Sequence, residues 1–554
     1  MATPTPSTVV EPLTGDPVID AATTGYRWTL NADRTIDWSI SNGFAGEFWN
    51  SPATVQQYVA AALDLFSYYA DVRFNYVGSF ATPALASAGG SELNVSLSGE
   101  ARFFPSNLIW AIGVFPSSTF AAGLGLYASA PGDVFLNINS QANFLTSYDP
   151  GSAGWALLIH ELGHALGLKH PHDDGGTGRP TLSQIGAGDA DFDWATMMAY
   201  SDTYDWNLLS FEPATPMVLD VLALQYLYGP NMSTNAGDGV YELTASGRYQ
   251  TLWDAAGIDE VSVANSDRGW EIVLPDYQLS SLVPTKVGWA VPRLEANLES
   301  PMTLHWLMGD MEDATGSQFS DDIYGSNLGN FILGRAGVDW IEGGGGNDSI
   351  DGGADADWIY GDAGDDVVQG GSGNNYLRGG DGNDWIVGGD GVDDSHGNAG
   401  NDTVHGGAGA DWVVGGKDDD LLFGDDGDDL SLGNLGADTI DGGAGNDVVR
   451  GGQQNDVVRG NAGDDWVSGD RGDDTLTGGT GADRFHVFDG SGADRVTDFS
   501  VAEGDRLWIL AGTQYSVAQV GADTVVTVMG VEGGTLTLVG VQMSSLPTGW
   551  VFTQ

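Results

Sequence analysis

Three histidines and one glutamate stand within eleven residues at a spacing that suits metal chemistry. His160 and His164 are four residues apart and therefore share one face of a helix, with Glu161 beside the first of them. Two imidazoles on one face can bind Zn²⁺, and the neighbouring carboxylate can serve as a general base toward water at the metal. Gly167 can take the left-handed conformation that ends a helix, so that His170 returns as a third ligand. A fourth coordination position is then left for water.

A methionine-containing segment follows 26 residues after the third histidine. It reads Thr196-Met197-Met198-Ala199-Tyr200 and precedes a predicted helix. Together with the His-Glu-x-x-His-x-x-Gly-x-x-His pattern, this segment resembles the methionine turn of the metzincin zinc proteases. The tyrosine two residues after the turn methionine is similar to that of the serralysin and astacin branches.

The resemblance implies a role for each matched position. The three histidines would bind zinc, and Glu161 would take a proton from the bound water and later give it to the leaving amine. Met198 would support the metal from below. Tyr200 would ligate zinc at rest and then stabilise the oxyanion of the tetrahedral intermediate. Two simpler interpretations stay open, in which Met198 is an ordinary core residue and Tyr200 a surface tyrosine.

The absence of cysteine narrows the resemblance to one branch. Astacins normally carry disulfides, and matrix metalloproteases use a cysteine to keep their zymogen silent, so neither pattern fits. Serralysins join this kind of catalytic domain to calcium-binding repeats. Residues 216–229 and 253–259 also resemble serralysin sequences, as the helix after the methionine turn and the start of a β-rich region.

Local periodicity predicts the elements that position these groups. Apolar residues at helical spacing predict helices over residues 54–69, 155–166 and 217–228. Alternating patterns predict strands at 94–97 and 134–137. Mixed elements of this kind indicate one α/β or α+β domain. By resemblance, a peptide substrate would lie along an edge strand, for which residues 124–128 are the candidate.

From residue 316 to residue 486 the sequence repeats every nine residues without an insertion. The unit is Gly-Gly-x-Gly-x-Asp-x-apolar-x, it occurs 19 times, and it is the signature of the RTX calcium-binding β-helix. We expect six residues of each unit to form a turn and three to form a short strand whose eighth-position side chain points inward. Two units would complete a coil of 18 residues, so that strands alternate between two parallel sheets.

The sixth position of the repeat supplies a candidate calcium ligand from each unit. Aspartates 18 residues apart should meet on one edge of the roll, where carboxylate and backbone carbonyl oxygens together make the cage that Ca²⁺ prefers. Asn330 and Asn375 interrupt the series. The predicted ligands are Asp339, Asp348, Asp357, Asp366, Asp384, Asp393, Asp402, Asp411, Asp420, Asp429, Asp438, Asp447, Asp456, Asp465, Asp474 and Asp483.

The acidic charge of the repeat makes metal binding a condition of folding. Residues 316–486 carry 34 Asp and one Glu against seven Lys or Arg, a net charge of −28. Such a segment repels itself and has only a thin apolar stripe, so bound divalent cations would supply folding free energy. The whole chain carries a net charge of −58, which argues against nucleic acid and anionic membranes as partners. We also expect no membrane insertion.

Seventh-position side chains of one sheet should stack on an outer face of the roll. Trp340, Trp358, Tyr376 and Trp412 are separated by 18 residues or a multiple of 18. These rings either shield the sheet and strengthen cross-strand pairing, or they form an exposed platform for a partner surface, a polymer or a second copy of the chain.

These features predict an α+β metzincin zinc-protease domain, then an all-β parallel β-roll (an RTX calcium solenoid) and a C-terminal β-rich cap. Within the N-terminal lead, Asp16 and Asp20 are weak candidates for masking the metal. The expected boundaries are a flexible lead or pro-segment at 1–24, the catalytic domain at 25–232, a β-rich connection at 233–315, the roll at 316–486 and the cap at 487–554.

The leading functional hypothesis is a secreted zinc endopeptidase that cleaves extracellular proteins or peptides. The start of the chain lacks the basic and apolar features of a secretory signal peptide. The resemblance instead implies a C-terminal signal and a type I (ABC) exporter as partner. Ca²⁺ outside the cell would then fold the roll. The alternative is a calcium-dependent adhesin or surface-layer-associated protein in which the aromatic face of the roll binds a partner.

Overall fold

The chain divides into two compact units in the computed structural model. The first unit comprises Met1–Val240, Ala245–Asp259 and Pro275–Met311, and the second comprises Tyr241–Thr244, Glu260–Leu274 and Glu312–Gln554. The structure describes residues 9–10, 13–24, 26–30, 32–42, 51–88, 91–98, 111–113, 134–137, 152–170, 196–198, 214–293 and 303–553.

Helices of the first unit pack on one another through their apolar faces. Phe66, Leu162 and Leu224 come from three different helices and are buried in one hydrophobic core. The three helices predicted from apolar spacing are confirmed as α2, α4 and α5. The described helices are α1 (Pro17–Ala22), α2 (Pro52–Tyr69), α3 (Pro83–Ala88), α4 (Ala153–Leu166) and α5 (Val218–Tyr228).

A mainly parallel sheet packs against the same core, because Trp38, Val95 and Val134 are buried in it. The strands are β1 (Val9–Val10), β2 (Tyr26–Arg27), β3 (Thr35–Ser41), β4 (Arg73–Phe80), β5 (Leu93–Ser98), β6 (Ala111–Gly113) and β7 (Val134–Asn137). β1 pairs with β2, and the larger sheet has the order β4-β3-β5-β7-β6, in which only β6 runs antiparallel to its neighbour. The predicted α+β character of this region is confirmed, and the two predicted strands are β5 and β7.

Residues 13–24 contain the capped helix α1 (Pro17–Ala22), whereas the sequence suggested a flexible lead. Ile19 and Ala21 of α1 are fully buried, and Ile19 belongs to a hydrophobic cluster that also contains Leu222 of α5. Burial of these apolar side chains stabilises the ordered conformation.

The carboxylates of Asp16 and Asp20 are engaged in local hydrogen bonds. Asp16 Oδ1 accepts from the Ile19 N–H at the start of α1, and Asp16 Oδ2 accepts from the Ser280 hydroxyl at 2.9 Å. Asp20 accepts from the Thr14 N–H at 2.9 Å. These contacts give both residues a structural role in anchoring α1, whereas the sequence suggested them as weak candidates for masking the metal.

Short strands dominate the segment between α5 and the repeat, as predicted. They are β8 (Gly239–Glu242), β9 (Tyr249–Asp254), β10 (Asp259–Ser262), β11 (Trp270–Tyr277), β12 (Val287–Pro292), β13 (Leu304–Gly309) and β14 (Asp313–Thr315). In the first unit, β13 pairs antiparallel with β12 and parallel with β9. In the second unit, β10 pairs with β14 and β11 with β15, both in parallel.

The repeat folds into two parallel sheets in which each strand pairs with the second strand after it. The register is always 18 residues, as in Trp340↔Trp358 and Ile350↔Val368, which confirms the predicted roll. The strands are β15 (Asp322–Ser326), β16 (Phe331–Ala336), β17 (Trp340–Gly345), β18 (Ser349–Ala354), β19 (Trp358–Ala363), β20 (Val367–Ser372), β21 (Tyr376–Asp381), β22 (Trp385–Asp390), β23 (Asp394–Ala399), β24 (Thr403–Ala408), β25 (Trp412–Lys417), β26 (Leu421–Asp426), β27 (Leu430–Leu435), β28 (Thr439–Ala444), β29 (Val448–Gln453), β30 (Val457–Ala462), β31 (Trp466–Arg471), β32 (Thr475–Thr480) and β33 (Arg484–His486).

Most of these strands have six residues, whereas three were predicted. The ladder passes over the first-position glycine and resumes at the second and third positions, as in Gly344↔Asp362 and Gly345↔Ala363. Backbone pairing therefore continues into what the sequence suggested was turn. The eighth-position side chains are buried between the sheets as predicted, including Ser395 and Ser431.

Parallel pairing continues beyond the last repeat. β34 (Gly492–Val496) and β35 (Arg506–Ile509) each add to one sheet of the roll. β36 (Gln514–Val520), β37 (Asp523–Met529) and β38 (Gly534–Leu538) form an antiparallel meander, and β38 and β39 (Val551–Thr553) extend the two sheets. A short 3₁₀ helix covers Met543–Ser545. The β-rich C-terminal region is confirmed, and the boundary at residue 487 stays a prediction.

The seventh-position aromatic rings of one sheet are neighbours over three coils, and the series is then interrupted. The ring centroids of Trp340 and Trp358 lie 5.3 Å apart, and those of Trp358 and Tyr376 lie 6.0 Å apart. Asp394 occupies the next coil, so Trp412 stands apart from the three stacked rings. Trp358 and Trp412 are 50% and 56% exposed.

Among the described residues, no helix is both long and apolar enough to cross a bilayer.

Candidate zinc and calcium sites

Helix α4 carries the first two candidate zinc ligands and ends at the glycine that the sequence singled out. The Ser152 hydroxyl caps its start by accepting from the Trp155 N–H at 3.2 Å. Gly167 ends it with φ 108°, a left-handed conformation that strains a side-chain-bearing residue. The chain reverses there and brings His170 back toward the helix.

The three histidines converge through their Nε2 atoms. His170 Nε2 lies 3.1 Å from His160 Nε2 and 3.0 Å from His164 Nε2. One ligand atom from each of the three residues lies within 4.8 Å of the other two. Two nitrogens bound to zinc at about 2.0–2.1 Å with tetrahedral angles would lie about 3.3 Å apart, so the arrangement matches a zinc site closely.

Backbone carbonyls fix the tautomers of the two helix histidines. His160 Nδ1 lies 2.9 Å from the Met197 carbonyl oxygen, and His164 Nδ1 lies 3.0 Å from the Leu168 carbonyl oxygen. Each Nδ1–H therefore donates, and each Nε2 presents a lone pair toward the centre of the cluster. Lone pairs that face one another repel unless a cation lies between them, so the donor set fits a bound Zn²⁺. Burial, then His170 and His160, lower the pKa of His164, which keeps it neutral as a ligand must be.

Glu161, the candidate general base, follows the first histidine on the same helix. It is 5% exposed, so this acidic residue is buried on the helix that carries two of the three histidines. Tyr200, the candidate fourth ligand, lies outside the described residues. The candidate substrate strand at residues 124–128 also lies outside them.

The methionine turn packs directly against helix α4 at Gly163. A Cβ atom added there would stand 2.7 Å from Met197 Cε and 3.0 Å from Met198 Sδ. The missing side chain thus allows the turn to approach the helix between His160 and His164. Met198 is buried in the main hydrophobic core, beneath the helix that carries these histidines.

Asp220, which the sequence analysis did not single out, anchors the methionine turn. This buried carboxylate accepts from the Thr196 hydroxyl at 2.5 Å and from the N–H groups of Met197 and Met217 at 2.6 and 2.9 Å. Burial raises its pKa to about 7. The signal in the sequence is that Asp220 is the one charged residue of helix α5.

In the roll, sixth-position aspartates 18 residues apart do meet. The Asp339 N–H donates to Asp357 Oδ1 at 2.9 Å, and the Asp348 N–H donates to Asp366 Oδ1 at 2.8 Å. The same bond recurs from coil to coil along both edges. All 16 predicted ligands are buried in this arrangement.

The second oxygen of these carboxylates points into an oxygen-lined gap over the first-position glycine. A Cβ atom on Gly352 would stand 2.5 Å from Asp357 Oδ2 and 3.0 Å from the Gly370 carbonyl oxygen. Glycine thus leaves room where carboxylate and carbonyl oxygens converge. Within the described residues, Oδ2 is buried without a hydrogen-bond partner in Asp348, Asp357, Asp366, Asp384, Asp393, Asp402, Asp411, Asp420, Asp429, Asp438, Asp447, Asp456, Asp465, Asp474 and Asp483.

Buried carboxylate oxygens without partners cost free energy unless a cation compensates them. Burial raises the pKa of Asp348 to about 7 and that of Asp420 to about 8. The chemistry of the donor set is that of hard oxygen ligands, which fits Ca²⁺. Asn375 keeps the ladder bond through Oδ1, while its Nδ2 stands in the gap near the Gly388 carbonyl oxygen. An amide donor at this position replaces one candidate oxygen ligand.

The repeat has matches among known proteins. A sequence profile described as the RTX calcium-binding nonapeptide repeat (4 copies) matches residues 324–359, 333–368, 360–395, 396–430, 423–458, 432–467, 450–485 and 459–496.

Several curated proteins are similar to this chain. Serralysin C from Dickeya chrysanthemi is 32% identical over 169 residues, covering 28% of this chain and 35% of that protein. Serralysin from Proteus mirabilis is 28% identical over 221 residues, covering 37% and 43%. Metalloprotease AprA from Pseudomonas entomophila is 26% identical over 173 residues, covering 28% and 36%.

The chain resembles the serralysin metalloproteases and carries RTX calcium-binding repeats. The chain spans between 35% and 43% of the length of these relatives.

In this serralysin-like chain, two further aspartates continue the carboxylate ladder beyond the repeat. The carboxylate ladder is the series of bonds from the N–H of one sixth-position residue to the carboxylate of the residue one coil later. The Asp474 N–H donates to Asp494 Oδ1 at 3.3 Å, and the Asp483 N–H donates to Asp505 Oδ1 at 3.1 Å. These partners are 20 and 22 residues apart, so a search for a nine-residue period misses them.

Proposed function

We propose that this protein is a secreted, zinc-dependent endopeptidase of the serralysin type. The observation that carries the proposal is the convergence of His160, His164 and His170 through Nε2 atoms about one metal-sized gap. The similarity to serralysins supports the same conclusion. Zinc held by these imidazoles would polarise the scissile carbonyl and lower the pKa of a water molecule.

The chain's own groups would then move protons and orient the substrate. The carboxylate of Glu161 accepts a proton from the attacking water and later delivers it to the leaving amine. Its burial on the helix that carries His160 and His164 supports this assignment. The resemblance assigns oxyanion stabilisation to the Tyr200 hydroxyl.

Calcium in this proposal drives folding of the roll outside the cell. The 34 Asp of residues 316–486 oppose folding while Ca²⁺ is scarce, which would keep the segment unfolded for a type I exporter. Extracellular Ca²⁺ then compensates the buried Oδ2 atoms. The protein would therefore act outside the cell on protein or peptide substrates.

Proteolysis of casein by the purified, calcium-loaded chain tests the enzymatic proposal. Glu161→Ala should lose nearly all activity while keeping bound zinc and an unchanged circular dichroism spectrum, because the histidines stay in place. Equal hydrolysis by the parent protein and Glu161→Ala would reject the peptidase assignment.

A calcium-dependent adhesin is the second candidate, favoured by the exposed aromatic rings on the roll. Trp358 and Trp412 present large apolar surfaces that a partner could cover. Replacing Trp340, Trp358 and Trp412 together should weaken binding to cells or surface polymers and leave casein hydrolysis intact. Unchanged surface binding and unchanged oligomeric state in this variant would exclude a binding role for the face.

A further inference from the structure

Each of the last four carbonyl groups of helix α4 accepts a hydrogen bond. The final four carbonyls of a helix have no partner within the helix. Two of them are satisfied locally here: Gly163 O accepts from the Leu168 N–H at 3.0 Å, and His164 O accepts from the Gly167 N–H at 3.0 Å. The other two, on Ala165 and Leu166, are satisfied by side chains far away in the sequence.

Those distant side chains are Trp28 and Tyr228. The indole Nε1–H of Trp28 donates to the Ala165 carbonyl oxygen at 3.0 Å. The Tyr228 hydroxyl donates to the Leu166 carbonyl oxygen at 2.6 Å and accepts from the Trp28 N–H at 3.3 Å. Tyr228 is 2% exposed, so neither bond is shared with solvent. One hydroxyl thus joins the N-terminal segment, helix α4 and helix α5.

The N-terminal segment continues this contact past the end of the helix. The Thr24 N–H donates to the Gly167 carbonyl oxygen at 2.8 Å, and the Lys169 N–H donates to the Ala22 carbonyl oxygen at 3.2 Å. The backbone between the second and third histidines is therefore held at Ala165, Leu166, Gly167 and Lys169. Residue 170 follows immediately.

We propose that Tyr228 and Trp28 are positioning residues for the metal centre. Their hydrogen bonds fix the end of helix α4, so that the His170 imidazole lies next to those of His160 and His164. This inference rests on the proposed zinc function. The physical reason is that three ligands bind one ion tightly only when their nitrogens are already held near their final positions. His170 lies four residues beyond Leu166, after the left-handed turn at Gly167, so a small rotation of the helix end moves its imidazole.

Tyr228→Phe is the sharpest test, because it removes one hydroxyl and keeps the buried ring. Zn²⁺ affinity is measured on the full calcium-loaded chain by competition with a chromophoric chelator, and Co²⁺ absorption reports the ligand geometry. Groups that hydrogen-bond to a metal ligand typically change affinity by 10- to 100-fold; Tyr228 acts through the Leu166 backbone, so we expect a fall at the lower end, about tenfold. Trp28→Phe, which removes the indole N–H, should shift affinity in the same direction.

Tyr69→Phe is the matched control. Tyr69 is a buried tyrosine whose hydroxyl donates to the Thr251 carbonyl oxygen at 2.7 Å, outside helix α4. Both tyrosine variants should lower the melting temperature of the zinc-free, calcium-loaded protein, but Tyr69→Phe should keep Zn²⁺ affinity within twofold of the parent. The positioning role would be overturned if Tyr228→Phe and Trp28→Phe both kept the parental Zn²⁺ affinity. It would also be overturned if Tyr69→Phe lost as much Zn²⁺ affinity as they do.

The same measurements separate this inference from the proposed function. A parent protein that binds Zn²⁺ tightly but hydrolyses no peptide would refute the peptidase assignment. The comparison of Zn²⁺ affinities would still test the positioning role of Tyr228 and Trp28. A parent protein that binds no Zn²⁺ would overturn both. In an active enzyme, Tyr228→Phe should need more Zn²⁺ for half-maximal activity and keep the parental KM once it is saturated, because the substrate-binding residues are untouched.

Discussion

Asp220 binds the backbone of Met197, because its Oδ2 atom accepts a 2.6 Å hydrogen bond from the Met197 N–H. The carbonyl of the same methionine accepts from His160 Nδ1. One residue of the methionine turn therefore connects a buried carboxylate on helix α5 with a candidate zinc ligand on helix α4. The turn thus contacts the helix of the candidate zinc ligands through this backbone bond as well as through side-chain packing.

Asp220→Asn should destabilise the first unit. The amide can accept at only one of the two carboxylate oxygens, so at least one buried N–H or O–H group loses its partner. We expect the free energy of unfolding to fall by about 2–3 kcal/mol, measured by urea unfolding of the calcium-loaded protein.

Asp276→Asn provides the control for that measurement. Asp276 forms a partly exposed ion pair with Lys286 at 2.6 Å, and such pairs contribute less than about 1 kcal/mol. An Asp220→Asn variant as stable as Asp276→Asn would contradict the anchoring role.

Gly163→Ala should destabilise the protein, although alanine favours helices over glycine by about 1 kcal/mol. The new Cβ would stand 2.7 Å from Met197 Cε and 3.0 Å from Met198 Sδ, so both buried methionine side chains must shift. Overpacking of this kind costs about 1–3 kcal/mol, so we expect a net loss in thermal stability.

A double-mutant cycle separates packing from helix propensity. In a Met197→Ala background the nearest clash partner is gone and the 3.0 Å approach to Met198 Sδ remains, so Gly163→Ala should then cost clearly less stability. The same loss in both backgrounds would rule out the contact as its cause.

Chelation of calcium at pH 8 should abolish the β-sheet signal of the roll, whereas selective removal of zinc should leave it unchanged. The buried carboxylates then lose their compensating charge, and residues 316–486 carry a net charge of −28. Far-ultraviolet circular dichroism of the full chain measures the change. A calcium-free spectrum identical to the calcium-loaded one would refute the dependence.

Acid should partly replace calcium in folding the roll. Burial raises the pKa of Asp420 and Asp456 to about 8, above the ordinary value of 3.8. The folded roll therefore binds more protons than the unfolded chain between about pH 4 and pH 8, and its free energy of unfolding without calcium falls as pH rises through this window. Calcium-free protein should show more β-structure at pH 5 than at pH 8. The opposite trend would contradict the sign of these shifts.

Ser395→Val should stabilise the roll. Ser395 is fully buried, and within the described residues its hydroxyl has no hydrogen-bond partner. Its neighbours in the same row are Leu377 and Val413, so an apolar side chain continues the stripe. We expect a gain of about 1–2 kcal/mol in calcium-loaded unfolding. Ser349→Val, on the outer face of the other sheet, should change stability by less than about 0.5 kcal/mol.

The 18-residue coil of the roll and the position of helix α4 follow from the sequence alone. A nine-residue period fixes an 18-residue coil, because successive units meet the same steric and pairing requirements in every turn. The spacing of His160 and His164 fixes their shared helix face, because 3.6 residues make one turn. Such inferences succeed where the information lies in consecutive residues.

Tertiary structure alone decided how these elements are held together. Packing brings Trp28 and Tyr228 to the end of helix α4 and places Asp220 under Met197, across separations that leave no period in the sequence. Likewise, Asp494 and Asp505 join the carboxylate ladder at irregular spacing because strand pairing, not the repeat, sets their place. The physical reason is that hydrogen bonds between distant segments form only after the apolar core has fixed their relative positions, so short-range patterns carry no record of them.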